Sequence, residues 1–361
     1  VLAHAGFATS ALADVAMTTS DGWKFGVNGH LPVFAIMNTS DNPDEDAFRI
    51  TTGFNPATAQ FNIHAPTEDG LDISAHFQLN SHLAGADGVQ NSGFGRSGNG
   101  RASGVESRVA EVAIAGDFGT VNIGKGFGIF GTPATGDEGS GMGVGFHGPN
   151  SGDATAGRIG TGYFYTNFNP RVMYTSKDNG GLQYKIGLFQ PEKPGADTDA
   201  VTDMPRIEAN IVFSGDGFSV WSSGFFQSVD SNDPAVKKFN MNGIDVGGSI
   251  AMGDLGVRAN YSVTKGTGNW MVGGHGFAGG AQEESADQWY LEATFKVSPA
   301  TTVGISHGEG TDDLTNEDAE LAMVFSRHKI TKNWTLMGEL QYFDDIGGDY
   351  NAFIVGSQFN F

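Results

Sequence analysis

The 361-residue sequence contains no cysteine, which excludes disulfide staples and thiolate chemistry while fitting any compartment. It is poor in basic residues: 20 Lys and Arg stand against 41 Asp and Glu, a net charge of −21. Binding phosphate needs clustered Lys and Arg, so a nucleic-acid partner is set aside. No apolar run reaches ~18 residues, which excludes a transmembrane helix. It does not exclude a closed β-barrel, the other structure that satisfies its backbone inside lipid. What the chain has in excess is glycine, 55 residues, roughly double the ordinary share. Spread along the length, they argue against a helix-rich protein, because each interior Gly costs a helix about 1 kcal/mol relative to Ala.

The repeating signal from residue 23 onward has period two. Leu71, Ile73, Ala75, Phe77 and Leu79 alternate with Asp72, Ser74, His76, Gln78 and Asn80. Trp289, Leu291, Ala293, Phe295 and Val297 alternate with Gln288, Tyr290, Glu292, Thr294 and Lys296. Further runs start at Trp23, Phe48, Leu182, Ile207, Phe218, Leu255, Leu321, Trp334 and Phe353. Such alternation places one set on each face of a strand, and no capped helical stripe competes with it. The fold class is all-β.

Short turns rich in Gly, Asp and Asn, such as Asp117-Phe118-Gly119 and Ser214-Gly215-Asp216-Gly217, alternate with long polar segments. The latter lie near 80–106, 125–167, 190–204, 228–238, 265–286 and 308–318. Between these punctuations fit sixteen strands, beginning near 23, 48, 71, 107, 120, 170, 182, 205, 218, 239, 255, 287, 301, 319, 334 and 350. An even number of antiparallel strands with short connections at one end and long ones at the other is the layout of a transmembrane β-barrel of the outer-membrane type. A β-sandwich or propeller predicts no side preference in loop length. Trp23, Trp221, Trp289, Trp334, Tyr342, Tyr350, Phe359 and Phe361 fall near strand ends, where interfacial aromatic girdles belong. Ahead of the barrel, Ala11-Leu12-Ala13 before Asp14 has the small-residue form of a signal-peptidase junction. The sequence therefore predicts an export-signal remnant or N-terminal segment over 1–13 and a single barrel domain over 14–361.

The chain stops mid-strand on an aromatic residue, and Gly356, Phe359 and Phe361 resemble the second half of the C-terminal assembly signal of bacterial outer-membrane proteins. Ile354 departs from that signal, which expects a polar residue. Ser107-Arg108, then Gly116-Asp117-Phe118-Gly119-Thr120-Val121-Asn122-Ile123-Gly124-Lys125, looks like the stretch that leads into the third loop of Gram-negative porins. Asn169-Pro170-Arg171-Val172-Met173-Tyr174-Thr175-Ser176 looks like the strand that leaves that loop. On these motifs, their order and the terminal Phe, the sequence resembles the Gram-negative porin family over nearly its whole length. With Gln190-Pro191-Glu192 there is a weaker likeness to the dicarboxylate-uptake branch. The resemblance implies a water-filled outer-membrane channel for small hydrophilic solutes and ions, a homotrimer among outer-membrane lipid and lipopolysaccharide, and a third loop folded into the lumen.

The longest connection is the third long one, Gly126 to Phe168, carrying Asp137, Glu138, Asp153 and Arg158. The expectation is an acidic constriction loop facing a basic wall; the bland alternative is a solvated loop outside the mouth. Strand parity sends Arg49, Asp72, His76, Arg171, Lys185, Arg206, Glu208, Arg258, Glu292, Lys296 and Glu339 to the lumen, since Arg or Lys on the lipid face at the midplane costs ~2–4 kcal/mol. Near balance on the wall, tipped by loop acids, predicts weak cation preference.

Other chemistry fails on context. Gly126-Phe127-Gly128-Ile129-Phe130-Gly131 fits G-x-G-x-x-G, but Pro133 and more Gly follow where a helix should begin. The histidines show no two-His metal spacing. No acid or elbow accompanies Ser306-His307, so a barrel enzyme cannot be assembled. No cofactor is implied. The acid runs Asp41 to Asp46 and Asp312 to Glu320 read as solvated loop charge, with Ca²⁺ bridging lipid phosphates as the alternative. A receptor or adhesin using the long loops is the remaining competitor, and it needs no open lumen.

Overall fold

A computed structural model describes residues 15–40, 47–81, 105–147, 155–191, 200–232, 238–267, 284–313, 317–345 and 348–361. The segment 1–13 lies outside the described residues. The first eight strands are β1 (Lys24–Ser40), β2 (Ala47–Thr51 and Ala57–His64), β3 (Asp72–Ser81), β4 (Val105–Glu106 and Ala110–Gly116), β5 (Gly119–Phe127), β6 (Phe168–Thr175), β7 (Leu182–Phe189) and β8 (Ala200–Val201 and Arg206–Gly215). The second eight are β9 (Phe218–Ser231), β10 (Phe239–Met252), β11 (Leu255–Lys265), β12 (Ser285–Ser298), β13 (Thr301–Asp312), β14 (Glu317–Lys329), β15 (Trp334–Asp345) and β16 (Gly348–Asn360). Each pairs antiparallel with the next, and β1 pairs with β16 from His30↔Asn360 to Ser40↔Tyr350. The sheet closes on itself as a sixteen-stranded barrel, so every strand has two neighbours and no edge remains.

Closure uses one strand that sequence reading overlooked. Val15–Thr18 pairs with the first residues of β1, Val15↔Val27 to Thr18↔Lys24, and so prolongs the line of β16. Where the two pieces meet, Gly29 N–H donates to Phe361 O at 2.8 Å and Phe361 N–H donates to Gly29 O at 3.0 Å. Ends that would otherwise fray are tied into the ladder.

Register aligns the outward side chains in belts. Ala293, Ile305, Val324, Leu340, Phe353, Met37 and Phe48 stand directly opposite one another across seven strands. Of these, Ile305, Val324, Leu340, Phe353, Met37 and Phe48 are each more than half exposed. An apolar belt facing outward is what lipid demands of a barrel. No helix among the described residues is long and apolar enough to cross a membrane.

Two features differ from the sequence reading. Strands β9 and β13 run to Ser231 and Asp312 and β14 starts at Glu317, so the polar stretches 228–238 and 308–318 begin as strand, and the second also ends as strand. Beyond the lipid edge a strand meets water on both faces and loses its alternation while keeping its hydrogen bonds. Second, the apolar parity of β14 is its inner one: Leu321, Met323 and Phe325 are buried, whereas Val324 is exposed on the outside. Trp221 and Tyr350, expected in the girdle, also turn inward and are buried. The reason lies in what fills the lumen.

Candidate functional site

The described parts of the connection between β5 and β6, residues 128–147 and 155–167, do not leave the barrel. These fold inward and lie against the inner wall, with a 3₁₀ turn at Ala134–Gly136. Their apolar residues dock in patches. Val144 packs with Phe34, Ile36, Leu321, Met323, Met337, Phe343, Tyr350 and Ile354. Phe130 and Phe164 pack with Phe225, Val229, Phe239 and Met241. Ile129 meets Met173 and Phe189, and Ile159 and Tyr163 join Tyr290. A wall covered by protein need not be polar, which is why the inner faces of β1, β14 and β16 carry Phe, Ile, Leu and Met.

The polar anchoring has a consistent sense: backbone N–H groups of the connection donate to wall carboxylates, and wall guanidinium groups donate to its carbonyls. Ile129 N–H and Phe130 N–H both donate to Glu208 Oε2, at 2.5 and 2.9 Å. Gly131 N–H donates to Asp245 Oδ2 at 3.1 Å. Glu292 accepts from Glu138 N–H and Gly139 N–H at 2.7 and 2.9 Å. Arg327 donates to Gly139 O and, at 2.9 Å, to Glu339. Arg258 donates to Pro133 O and Arg171 to Phe127 O. Hydrogen bonds to charged groups contribute about 1.5–3 kcal/mol each, so the set binds the connection firmly although, among its described residues, the 3₁₀ turn is its one regular element.

This close approach explains much of the glycine. At Gly143 an added Cβ would collide with the Glu339 carboxylate and the Arg327 guanidinium, and at Gly145, with φ at +62°, it would strike the backbone of Gly157.

The four loop residues singled out in the sequence fare differently. Asp153 lies outside the described residues. Asp137 is 1% exposed and accepts from Ser140 N–H at 2.8 Å. Arg158 is 0% exposed, donating to Leu321 O at 3.0 Å and Ser306 Oγ at 2.7 Å. Neither presents its charge to solutes, which corrects the expectation for that pair: the short side chains of Gly, Ser and Thr let the backbone sink onto the wall and take both residues with it. Glu138 is partly buried, and burial pushes its carboxyl above the ordinary range against the opposing pull of Arg327. Instead of loop acids facing a basic wall, loop backbone faces a wall of paired charges.

All eleven wall residues lie on the inward parity, in three groups. Arg171, Arg206, Glu208, Arg258, Glu292 and Glu339 lie under or beside the connection and engage it or one another, as in the Arg206–Glu208 pair at 2.6 Å. Asp72 and Lys296 are exposed beside the short turns. Arg49, His76 and Lys185 are half-exposed, and His76 bonds Asn62 and Ser74. His76 and Lys185 share the inward parity with Gln60, Gln78 and Asn122 on β2, β3, β5 and β7, while Arg49 lies near His147 of the connection. Sequence reading missed Asp245, Gln288, Tyr290 and Arg327, which hold Gly131, Gly160, Ala134 and Gly139. Arg327 was legible only by inverting the parity of β14. In the acid run 312–320, Asp312 is buried, Asp318 is exposed and Glu320 is half-exposed. Asp41 to Asp46 lies outside the described residues. At the C-terminus, Phe359 is exposed on the outer face and stacks on Phe361 with ring centroids 6.3 Å apart.

His147 makes the anchoring pH-sensitive. It is fully buried, its N–H donates to Tyr350 Oη at 3.1 Å, and its ring lies 4.8 Å from that of Tyr350. Burial, with Arg49 nearby, pushes the imidazole down to about 3. The pKa in the docked state is below the ordinary 6.5, so the contact is at full strength above pH 6.5 and weakens as pH falls toward 3. Acidification to pH 4 is expected to speed amide exchange around residues 144–147, and His147→Gln to remove that acid dependence. Equal exchange at pH 7 and pH 4, corrected for intrinsic rate, contradicts this.

A family model for Gram-negative porins matches residues 1–348. No curated protein matches the sequence. Among solved structures, the outer membrane channel DcaP of Acinetobacter baumannii is 15% identical, with a TM-score of 0.71 over 96% of this chain and 99% of that one. An anion-selective porin from Comamonas acidovorans is 13% identical, with a TM-score of 0.69 over 94% and 100%. OmpF of Salmonella typhi is 14% identical, with a TM-score of 0.65 over 96% and 100%. At such identities the likeness is one of fold. The family match, spanning nearly the whole sequence, goes further: the chain belongs to the Gram-negative porins, outer-membrane channels for small solutes rather than enzymes.

Proposed function

We propose that this channel passes small hydrophilic solutes and ions with weak cation preference, and that the preference arises at its mouths rather than at its narrowest zone. The observation that carries this is the pairing of inner charges. Arg206–Glu208, Arg327–Glu339 and Arg171–Glu111 are ion pairs of 2.6, 2.9 and 2.8 Å, and Glu292 is satisfied by loop N–H groups. Paired and buried charges exert little net field on a passing ion. Away from these pairs, the inward side chains of β2 and β3 are mainly amides and imidazoles: Gln60, Asn62, His64, His76 and Gln78. The surplus of acid lies elsewhere in the chain's net charge of −21, much of it in connections and at strand ends, where salt screens it within ~30 Å at 0.01 M and ~3 Å at 1 M.

Reversal potentials across a twofold KCl gradient are therefore expected to show cation preference near 10 mM that fades toward zero near 1 M. Anion preference at low salt, or selectivity that persists at 1 M, contradicts the reading. A second reading rests on Arg49 and Lys185, basic groups on the inward parity of β2 and β7, which suit carboxylate-bearing solutes. Liposome swelling separates the two: dicarboxylates entering faster than neutral sugars of similar size favour the second. A homotrimer belongs to the same proposal. It is supported by β4 and β5, whose outward parity ends in Lys125, donating at 2.8 Å to Ser107 O.

A further inference from the structure

The outer wall carries polar chemistry where an apolar belt gives out. Directly above the belt containing Ile305, Val324 and Leu340 stand Leu291, His307, Ala322 and Tyr342, each opposite the next. One pleat higher, Trp289, Glu309, Glu320 and Asp344 are opposite one another. His307 and Glu309, two apart on β13, share a face. His307 Nε2 is 3.0 Å from Glu309 Oε1, and the ligand atoms of His307, Glu309 and Glu320 all lie within 4.8 Å of one another. The Trp289 ring meets the imidazole edge-on at 5.4 Å, which limits its rotation.

We propose that His307, Glu309 and Glu320 bind a divalent transition-metal ion of the zinc class on the outer wall, at the upper edge of the lipid belt. Two carboxylates placed directly opposite each other repel, and a dication between them reverses the sign of that interaction. The imidazole selects the metal: a nitrogen with two carboxylate oxygens suits zinc and its neighbours, whereas magnesium and calcium take oxygen ligands. Below the trio lies an apolar groove of about 540 Å³, lined by Leu291, Ile305, Val324 and Leu340 and reaching up to Trp289, His307 and Tyr342. The ion would thus sit at the boundary between hydrocarbon and headgroups, with its remaining positions open to water or to headgroup phosphate.

The test is Zn²⁺ titration calorimetry on the chelator-stripped full chain in detergent, repeated with His307→Ala, with Glu320→Gln and with both. One saturable site is expected, weakened about 10-fold or more by either substitution, in line with the loss of a metal-site partner. Equimolar Mg²⁺ should not displace the ion. Glu320→Gln is isosteric, and an unchanged heat-modifiable shift on electrophoresis shows that each variant folds. Absence of saturable binding by the parent chain, binding unchanged in the double variant, or displacement by equimolar Mg²⁺ would each overturn the proposal.

Discussion

Replacing Arg327 with Ala is expected to unfasten the middle of the inward connection. Arg327 donates to Glu138 O, Gly139 O and Glu339, and its guanidinium lies 5.0 Å from the Phe325 ring centroid. Removing it leaves Glu339 buried at 2% exposure with Val144 N–H and Gln341 as its remaining polar partners. Breaking a buried pair from one side costs about 3–5 kcal/mol. The loss falls mainly on the contact between connection and wall, because the ladder of β14 and β15 is untouched. Single-channel records should change from steady to fluctuating, and amides of residues 138–144 should exchange faster. Pairing Arg327→Ala with Glu339→Gln should restore part of the loss by removing the orphaned charge. Quiet records and unchanged exchange in Arg327→Ala would show that this pair does not hold the connection.

The second large effect tests the assignment of faces. Val355 is 47% exposed on the outer face, opposite Gly338 and Ala35 within the lipid belt. Val355→Arg is expected to destabilise the barrel in lipid by about 2–4 kcal/mol, the cost of an Arg near the midplane. Gln60→Arg, on the inward parity of β2, should change stability by no more than about 0.5 kcal/mol, as surface substitutions usually do. Urea titration of the protein folded into lipid vesicles reads both. Equal losses from the two substitutions would mean that the faces are misassigned.

Strand positions were legible wherever one face meets lipid and the other meets water. The runs from Ile207 and from Phe218 show both the strand and its outward side, because Arg206, Glu208 and Asn210 alternate with Ile207 and Ile211. Legibility failed where the inner face is covered by protein. In β16 the inner Tyr350, Ala352 and Ile354 interleave with the outer Phe353 and Val355, so both parities are apolar and alternation says nothing. In β14 it gave the wrong face, since Leu321, Met323 and Phe325 answer to the connection rather than to lipid. The same cause hid Arg327, which shares their parity. The wall charges could be placed by parity, but their pairing with loop N–H groups could not, because a backbone donor leaves no mark in a sequence. Glycine was the nearest trace: its density over 126–145 reflects a backbone pressed against wall side chains and against itself, as at Gly143 and Gly145. The strand Val15–Thr18 escaped notice because four residues are too few for a period to register.

The central claim is that this barrel is a water-filled channel narrowed by its third connection. Planar-bilayer recording tests it most directly, comparing the full chain with one in which residues 129–164 are replaced by a short Gly-Ser linker. The replacement bares Phe34, Phe225 and Leu321 to water, so folding is to be confirmed first by the heat-modifiable shift. Discrete conductance steps are expected from the full chain, and steps several-fold larger from the shortened one. A full chain that gives no steps, or two chains with steps of equal size, would contradict the claim.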